Sequence, residues 1–237
     1  MEPLLVLHLG TRGRLPPLPL TVITSSVGLS VSAAILAGGR ARRFGGADKA
    51  SLPVGRARII DRQLAALSAV ADDIRIVAND TERYAGLGVR VIGDAVAGAG
   101  PLGGIYSALI DATHDSVIVL ACDLPFVTAA LVERLAIEHL AGAQIDAVVP
   151  RSARGLEPLC AVYDRRCAGA ARARIDRGAL QVAGLLEDVR VRELGPEVLA
   201  PYDAGALFEN VNTPHDHERA RGWVAVNEKP FEDPNTE

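Results

Sequence analysis

Lysine is almost missing from this 237-residue chain: arginine carries nearly all of the positive charge, and Lys49 and Lys229 are the only lysines. Cysteine is scarce as well. Cys122, Cys160 and Cys167 are odd in number and contain no CxxC pair, which speaks against a disulfide framework or a structural zinc and fits a reducing, cytoplasmic setting. There is no basic excess, because the formal net charge is -4. A domain that grips the nucleic-acid backbone is usually clearly basic, so no nucleic-acid partner is expected and any anion must be met locally. A long uninterrupted apolar run is absent too. The stretch from Leu15 to Gly39 is uncharged, but prolines break it at "LPPLPL" and serines and threonines dilute its remainder; a spanning helix, and hence a membrane partner, is not expected. The expected organisation is a poorly ordered leader over 1–30, a single domain over 31–224 and a polar tail over 225–237.

What is abundant is an alternation of two patterns. Near-continuous Val/Ile/Leu runs of strand length occur at "VSAAILA" (31–37), "DIRIVAN" (73–79), "VRVIGD" (89–94), "SVIVLACD" (116–123) and "AQIDAVVP" (143–150). Helical patterns separate them at "IIDRQLAALSAVA", "LGGIYSALIDA" and "TAALVERLAIEHLAG". Runs without polar alternation suit parallel strands buried on both faces. The expected fold is therefore α/β: a three-layer α/β/α sandwich around a Rossmann-like, mostly parallel sheet. Further along, "LEPLCAVYD" (156–164) reads as a strand, "RRCAGAARARIDRG" as a helix stopped by Gly178, and "VRVREL" as a short strand. In "NVNTPHDHERARGW", Thr213 is a plausible N-cap, Pro214 takes the first helical position and Asp216 completes a capping box.

In such sheets ligands gather at the carboxyl ends of the strands. "LAGGRARRFGGADK" (36–49) stands at one such end, rich in glycine and arginine and closed by Lys49. It is not a P-loop, since Lys49 follows Asp48 rather than glycine, and it lacks GxGxxG. Exposed backbone N–H groups with local cations can still line an anion site, and a lysine in an arginine-using chain points to a need for a compact point charge. Asp123 ends its own strand in "ACDLPF". Beside phosphates it would ligate Mg²⁺, which takes one or two carboxylates and keeps water and substrate oxygens; otherwise it is a turn or N-cap aspartate, and the segment leaves both open. Asp94 ends another strand in the same way. Asn210 and Asn212 read as turn residues, and His215 and His217 as exposed first-turn residues. "GAGPLG" (98–103) does fit GxGxxG, with Asp123 downstream, and would make the protein a nicotinamide or flavin oxidoreductase. Against that, "DAVA" separates it from its strand and Pro101 removes a backbone donor.

Taken together, "LAGGRARRFGGADKASLPVG", "IVAND", "DAVAGAGPLGGIYSAL", "ACDLPF", "EPLCAVYD" and "NVNTPHD" resemble the molybdenum cofactor guanylyltransferases, in order from about Ser32 to Arg221. The resemblance implies a nucleotidyltransferase fold and transfer of GMP from GTP to the terminal phosphate of molybdopterin, with Mg²⁺ as cofactor. It further implies that Leu36, Ala37, Gly38 and Gly39 contact GTP through the backbone, with Lys49 and Arg43 on its phosphates. By the same resemblance Asn79 and Asp94 would complete the nucleotide site, and Asp123 would both touch GTP and hold Mg²⁺. Asn210 and Asn212 would fall on the molybdopterin side. Partners implied are GTP, the molybdenum cofactor, and the proteins of molybdenum insertion and molybdoenzyme maturation. Two alternatives stand beside this reading: CTP-dependent cytidylyl transfer, whose loop usually reads LAAG, and a non-catalytic nucleotide- or molybdopterin-binding protein on the same fold.

Overall fold

A computed structural model describes residues 29–38, 48–142, 144–203 and 205–227. The apolar runs become strands β1 (Val31–Leu36), β4 (Asp73–Val77), β5 (Arg90–Ile92), β6 (Ser116–Ala121) and β7 (Ala147–Ser152). With β8 (Gly155–Leu156), β9 (Cys160–Asp164) and β10 (Val191–Leu194) they build one eight-stranded sheet in the order β10-β7-β9-β6-β1-β4-β5, with β8 paired to β7. A small antiparallel pair, β2 (Pro53–Val54) and β3 (Ala57–Arg58), stands apart. β1 is central, parallel to β4 on one side and β6 on the other, and all six of its residues are buried.

Its side chains alternate between two cores. Val31, Ala33 and Ile35 face a cluster with Ile60 and Leu67 of α1 (Ile59–Ser68) and with Leu131, Val132 and Leu135 of α3 (Ala129–Leu140). Ala34 and Leu36 face Leu102, Ile105 and Leu109 of α2 (Gly100–Asp111). That second core continues through Cys167 and Ala171 of α4 (Cys167–Asp176) and Leu185 of α5 (Val182–Asp188). The three-layer sandwich is thus a direct consequence of strands that are apolar on both faces. The short α6 (Pro196–Leu199) adds Val198 and Leu199 to the first core. The last helix, α7 (Pro214–Asn227), packs Ala220 and Val224 onto a third cluster with Val54, Phe126 and Val211.

The second half departs from the sequence reading in two places. The expected strand over 156–164 is broken into β8 and β9: β8 pairs with β7 alone, and after Glu157–Leu159 the chain enters β9 antiparallel to both β7 and β6. Helix α5 follows Gly178, whose φ of 73° ends α4 as expected. The leader over 1–30 falls almost entirely outside the described residues, as does the tail beyond Asn227. Helix α7 runs into the first residues of the segment read as a tail. Among the described residues, no helix is long and apolar enough to cross a membrane.

Ile118 lies fully buried at the middle of β6. Ile118→Ala is expected to lower unfolding stability by about 3 kcal/mol through lost burial and the cavity left behind, read from urea denaturation.

Candidate functional site

The ladder hydrogen bonds run on past the strand ends and hold those ends level. Ala37 N–H donates to the Val77 carbonyl at 2.9 Å, Cys122 N–H to Leu36 at 3.2 Å and Ala78 N–H to Ile92 at 2.8 Å. The carboxyl ends of β1, β4, β5 and β6 therefore meet along one edge, and two cavities open there. The larger, about 550 Å³, is lined by Leu36, Ala37, Gly38, Asn79, Arg83, Tyr84 and Asp94 among others, with Gly98, Gly100 and Pro101 at the start of α2. The smaller, about 180 Å³, shares Leu36, Ala37, Gly38 and Pro101 and adds Asp48, Lys49, Cys122 and Asp123. The backbone of Leu36–Gly38 is thus the common wall of both.

Lys49 sits where the second cavity meets the segment before α7. Its Nζ donates to Asn212 Oδ1 at 2.5 Å and lies 3.7 Å from Asp123 Oδ2. Asp123 is itself held in place. The buried Gln63 of α1 donates its amide to the carbonyls of Ala121 (2.7 Å) and Leu124 (3.0 Å), clamping the turn from both sides of Asp123. The Asp123 carbonyl accepts from Val211 N–H at 2.9 Å. Val211 is buried in the third core cluster, so Asn210 and Asn212 flank an anchored residue. The capping box closes as expected: Asp216 accepts from Thr213 N–H at 2.8 Å and Thr213 Oγ1 accepts from Asp216 N–H at 3.2 Å. Asp216 also accepts from Asn212 N–H at 3.1 Å. The Asn212 backbone thus helps organise the start of α7, while its side chain belongs to the lysine.

On the larger cavity, Asn79 Nδ2 donates to Asp94 Oδ2 at 3.0 Å, joining two residues that the sequence singled out separately. A Cβ added to Gly38 would meet no described atom within 4 Å. Gly39 and Arg43 lie outside the described residues. "GAGPLG" has roles other than a dinucleotide turn. β5 ends at Ile92 and α2 does not begin until Gly100. Gly98 (φ 78°) and Gly100 (φ 60°) shape the approach to α2, and a Cβ on Gly103 would lie 2.7 Å from Ala99 Cβ. His217 departs from the exposed first-turn reading: its Nε2 lies 2.6 Å from the Pro53 carbonyl and it is half-buried. His215 is exposed as read.

The sequence reading missed Gln63, Tyr84 and Arg83. Gln63 could have been suspected as a polar residue on the apolar face of α1. Tyr84 and Arg83 lie in a 3₁₀ turn (Glu82–Leu87) with no motif to mark them. Cys122 is no nucleophile: burial pushes its thiol up to about 12, reinforced by the charges of Asp123 and Asp48. The site offers fixed charges and hydrogen-bond donors, which suits a reaction driven by positioning and charge neutralisation.

Comparison with known proteins gives a consistent result. A family model described as "MobA-like NTP transferase domain" matches residues 33–191. The molybdenum cofactor guanylyltransferase of Desulfosudis oleivorans is 35% identical over 198 residues, covering 82% of this chain and 96% of that protein. Among solved structures, molybdopterin-guanine dinucleotide biosynthesis protein A of Archaeoglobus fulgidus superposes with a TM-score of 0.71 at 29% identity, covering 82% of this chain and 99% of the other. The 4-diphosphocytidyl-2C-methyl-D-erythritol synthase of Anaerococcus prevotii, at 14% identity and a TM-score of 0.62 over 84% of this chain and 97% of its own, shares the fold alone.

Burial raises the Asp123 pKa above the ordinary carboxylate value, with the Lys49 charge opposing it. In the unfolded chain the carboxyl returns to its ordinary value. Between the two values the folded state binds more protons, so this group removes stability as pH rises through that window. Asp123→Asn is therefore expected to raise the melting temperature of the ligand-free protein near neutral pH. The gain should shrink as pH falls through that window and be gone below the ordinary carboxylate value, and thermal melts across the acid-to-neutral range measure it.

Proposed function

Because the chain belongs to the MobA-like NTP transferase family, we propose that it transfers GMP from GTP to the terminal phosphate of molybdopterin, releasing pyrophosphate and forming the guanine dinucleotide cofactor. The observation that carries this reading is the placement of Lys49: one compact cation, between Asp123 and Asn212, on the wall of a cavity that shares the Leu36–Gly38 backbone with a larger nucleotide-sized one. The names of the relatives support the choice of substrates.

The chemistry asks for no protein nucleophile. An oxygen of the molybdopterin phosphate bonds to the α-phosphorus of GTP while the bond from that phosphorus to the bridging oxygen of the β-phosphate breaks, and the electron pair leaves with pyrophosphate. The attacking phosphate is already an anion at neutral pH, so no general base is required. What the protein supplies is alignment and charge. The larger cavity receives the nucleoside, with the hydrogen-bonded Asn79–Asp94 pair offering donors and acceptors to it. The Leu36–Gly38 backbone runs beneath the phosphates. Lys49 keeps donors beyond the one given to Asn212 and can turn them onto phosphate oxygen. Asn212, whose side chain meets Lys49, is assigned to the acceptor side; Asn210, on the far side of Val211, lines a separate cavity with Phe126 and Trp223.

Asp123 fits Mg²⁺. It is a hard oxygen donor at a strand end, clamped by Gln63 and opening on the cavity, and Mg²⁺ characteristically takes one or two carboxylates together with substrate phosphates. When bound, the ion would supply charge stabilisation to the departing pyrophosphate. The three cysteines are all free thiols, in keeping with a cytoplasmic reaction whose product passes to molybdoenzyme-maturation proteins. Lys49 and Asp123 together favour an enzyme over a silent binding protein on the same fold. Of the two bases, guanine is preferred on the names of the relatives.

The test is incubation of the full chain with molybdopterin, Mg²⁺ and either GTP or CTP, identifying the dinucleotide formed. Guanine dinucleotide is the expected product. Lys49→Ala and Asp123→Ala should each cut turnover by on the order of 10²–10³, as expected for removal of a charge aimed at the transition state. Full turnover in both variants would sink the assignment, and a product made only from CTP would replace guanine by cytosine. On the larger cavity, Asn79→Ala should raise KM for the nucleotide more than it lowers kcat, read from initial rates at varied GTP.

A further inference from the structure

Lys49 has a long side chain with free rotation along its stem, yet its ammonium is placed to within hydrogen-bond reach of one atom of Asn212. Something must fix where that side chain starts. Lys49 opens a single 3₁₀ turn, Lys49–Ser51, whose N-cap is Asp48. The Asp48 carboxylate accepts from Ala50 N–H at 3.2 Å through one oxygen and from Ser51 Oγ at 2.8 Å through the other. The backbone closes the same turn, with Ser51 N–H donating to the Asp48 carbonyl at 3.2 Å and Leu52 N–H to Lys49 at 3.1 Å. Ala50, the residue after Lys49, is fully buried in the core cluster that contains Ile35 and Ile60. The lysine therefore leaves the backbone between a capped residue and a core-locked one.

We propose that Asp48 is a positioning residue for the transfer reaction: by capping the turn that carries Lys49, it fixes the direction in which the lysine ammonium enters the site. The proposal rests on the reading of Lys49 as the phosphate-binding cation. A second group steadies Asp48 from the larger cavity. Tyr84 is almost completely buried and lines that cavity, near enough to Asp48 to feel its charge. Burial first, then the interaction with Asp48, raise the Tyr84 pKa and keep its hydroxyl protonated as a donor. The nucleoside-side cavity and the lysine-side cavity are thus tied through one carboxylate. Asp48 also lines the smaller cavity itself, so the competing role to be tested against is that of a second Mg²⁺ ligand.

The two roles make opposite demands. A cap needs hydrogen-bond acceptors, which asparagine retains at an N-cap, whereas a metal ligand needs the negative charge. In the full chain, Asp48→Ala is expected to lower kcat/KM by on the order of 10²-fold, the scale of a misplaced catalytic group. Asp48→Asn should recover most of it at an unchanged Mg²⁺ requirement. In the Lys49→Ala background, Asp48→Ala should bring no further loss, because residues acting through one another are non-additive. Tyr84→Phe should give a smaller loss that likewise vanishes without Lys49, and it reports on the proposal even where Asp48→Ala fails to fold. The proposal is overturned if Asp48→Ala is as active as the parent chain, if its effect adds to that of Lys49→Ala, or if Asp48→Asn is as impaired as the alanine variant and needs more Mg²⁺. A parent chain that makes no dinucleotide at all would instead count against the proposed function.

Discussion

The pairing of β1 with two parallel neighbours is the constraint on which the rest depends. Because β4 and β6 both run alongside β1 in register, and the ladder continues through Ala37, Ala78 and Cys122, the ends of these strands are level. Every group given a role in the site hangs from that edge or is tied to it. Leu36–Gly38 leave from β1, Asn79 from β4, Asp94 from β5 and Asp123 from β6. A parallel sheet forces this arrangement, since each crossover returns the chain to the far edge and leaves all carboxyl ends on the same side.

The groups that come from outside the sheet are fastened to it by specific hydrogen bonds. Gln63 reaches from α1 to hold the carbonyls on either side of Asp123, and Val211 N–H reaches the Asp123 carbonyl. Val211 in turn is buried with Val224 and Phe126, so α7 positions Asn210 and Asn212 only because its own apolar face is packed. Burial of Asp123 sets up a tension that fits this picture. Its desolvation is unfavourable in the free protein, and Lys49 offsets only part of it, which leaves a carboxylate that a bound cation would satisfy.

Charge at the opposite end of the sheet is handled differently. Arg75 is fully buried and pairs with Asp73 and, at 3.2 Å, with Asp111, while Ser32 donates to Asp73 at 2.6 Å. Desolvation would raise the Asp73 pKa, but hydrogen bonds from Ser32, from Thr113 N–H and from Arg75 hold it well below the ordinary carboxylate range. The contrast is informative. Matched charge closes the amino end of the sheet, whereas at the carboxyl end Asp123 is only partly compensated by Lys49, and both border an open cavity.

Much of this was legible in the residues. Apolar runs without alternation determined buried parallel strands, and Asp94 and Asp123 just past two of those runs, with the glycine loop after a third, pointed to the edge where the cavities open. Thr213, Pro214 and Asp216 specified a helix start whose signals are local. Such features depend on neighbours a few residues away, which a sequence displays. The antiparallel entry of β9, the meeting of Asn212 with Lys49, and the Gln63 clamp join residues far apart in the chain, and no short-range pattern encodes them. Likewise nothing in "TERYAGLG" announces that Tyr84 faces Asp48. By itself the sequence determined the layers and singled out the edge where the cavities open; only the tertiary structure decided which side chains face one another there, because that is set by the packing of helices onto the sheet rather than by spacing along the chain.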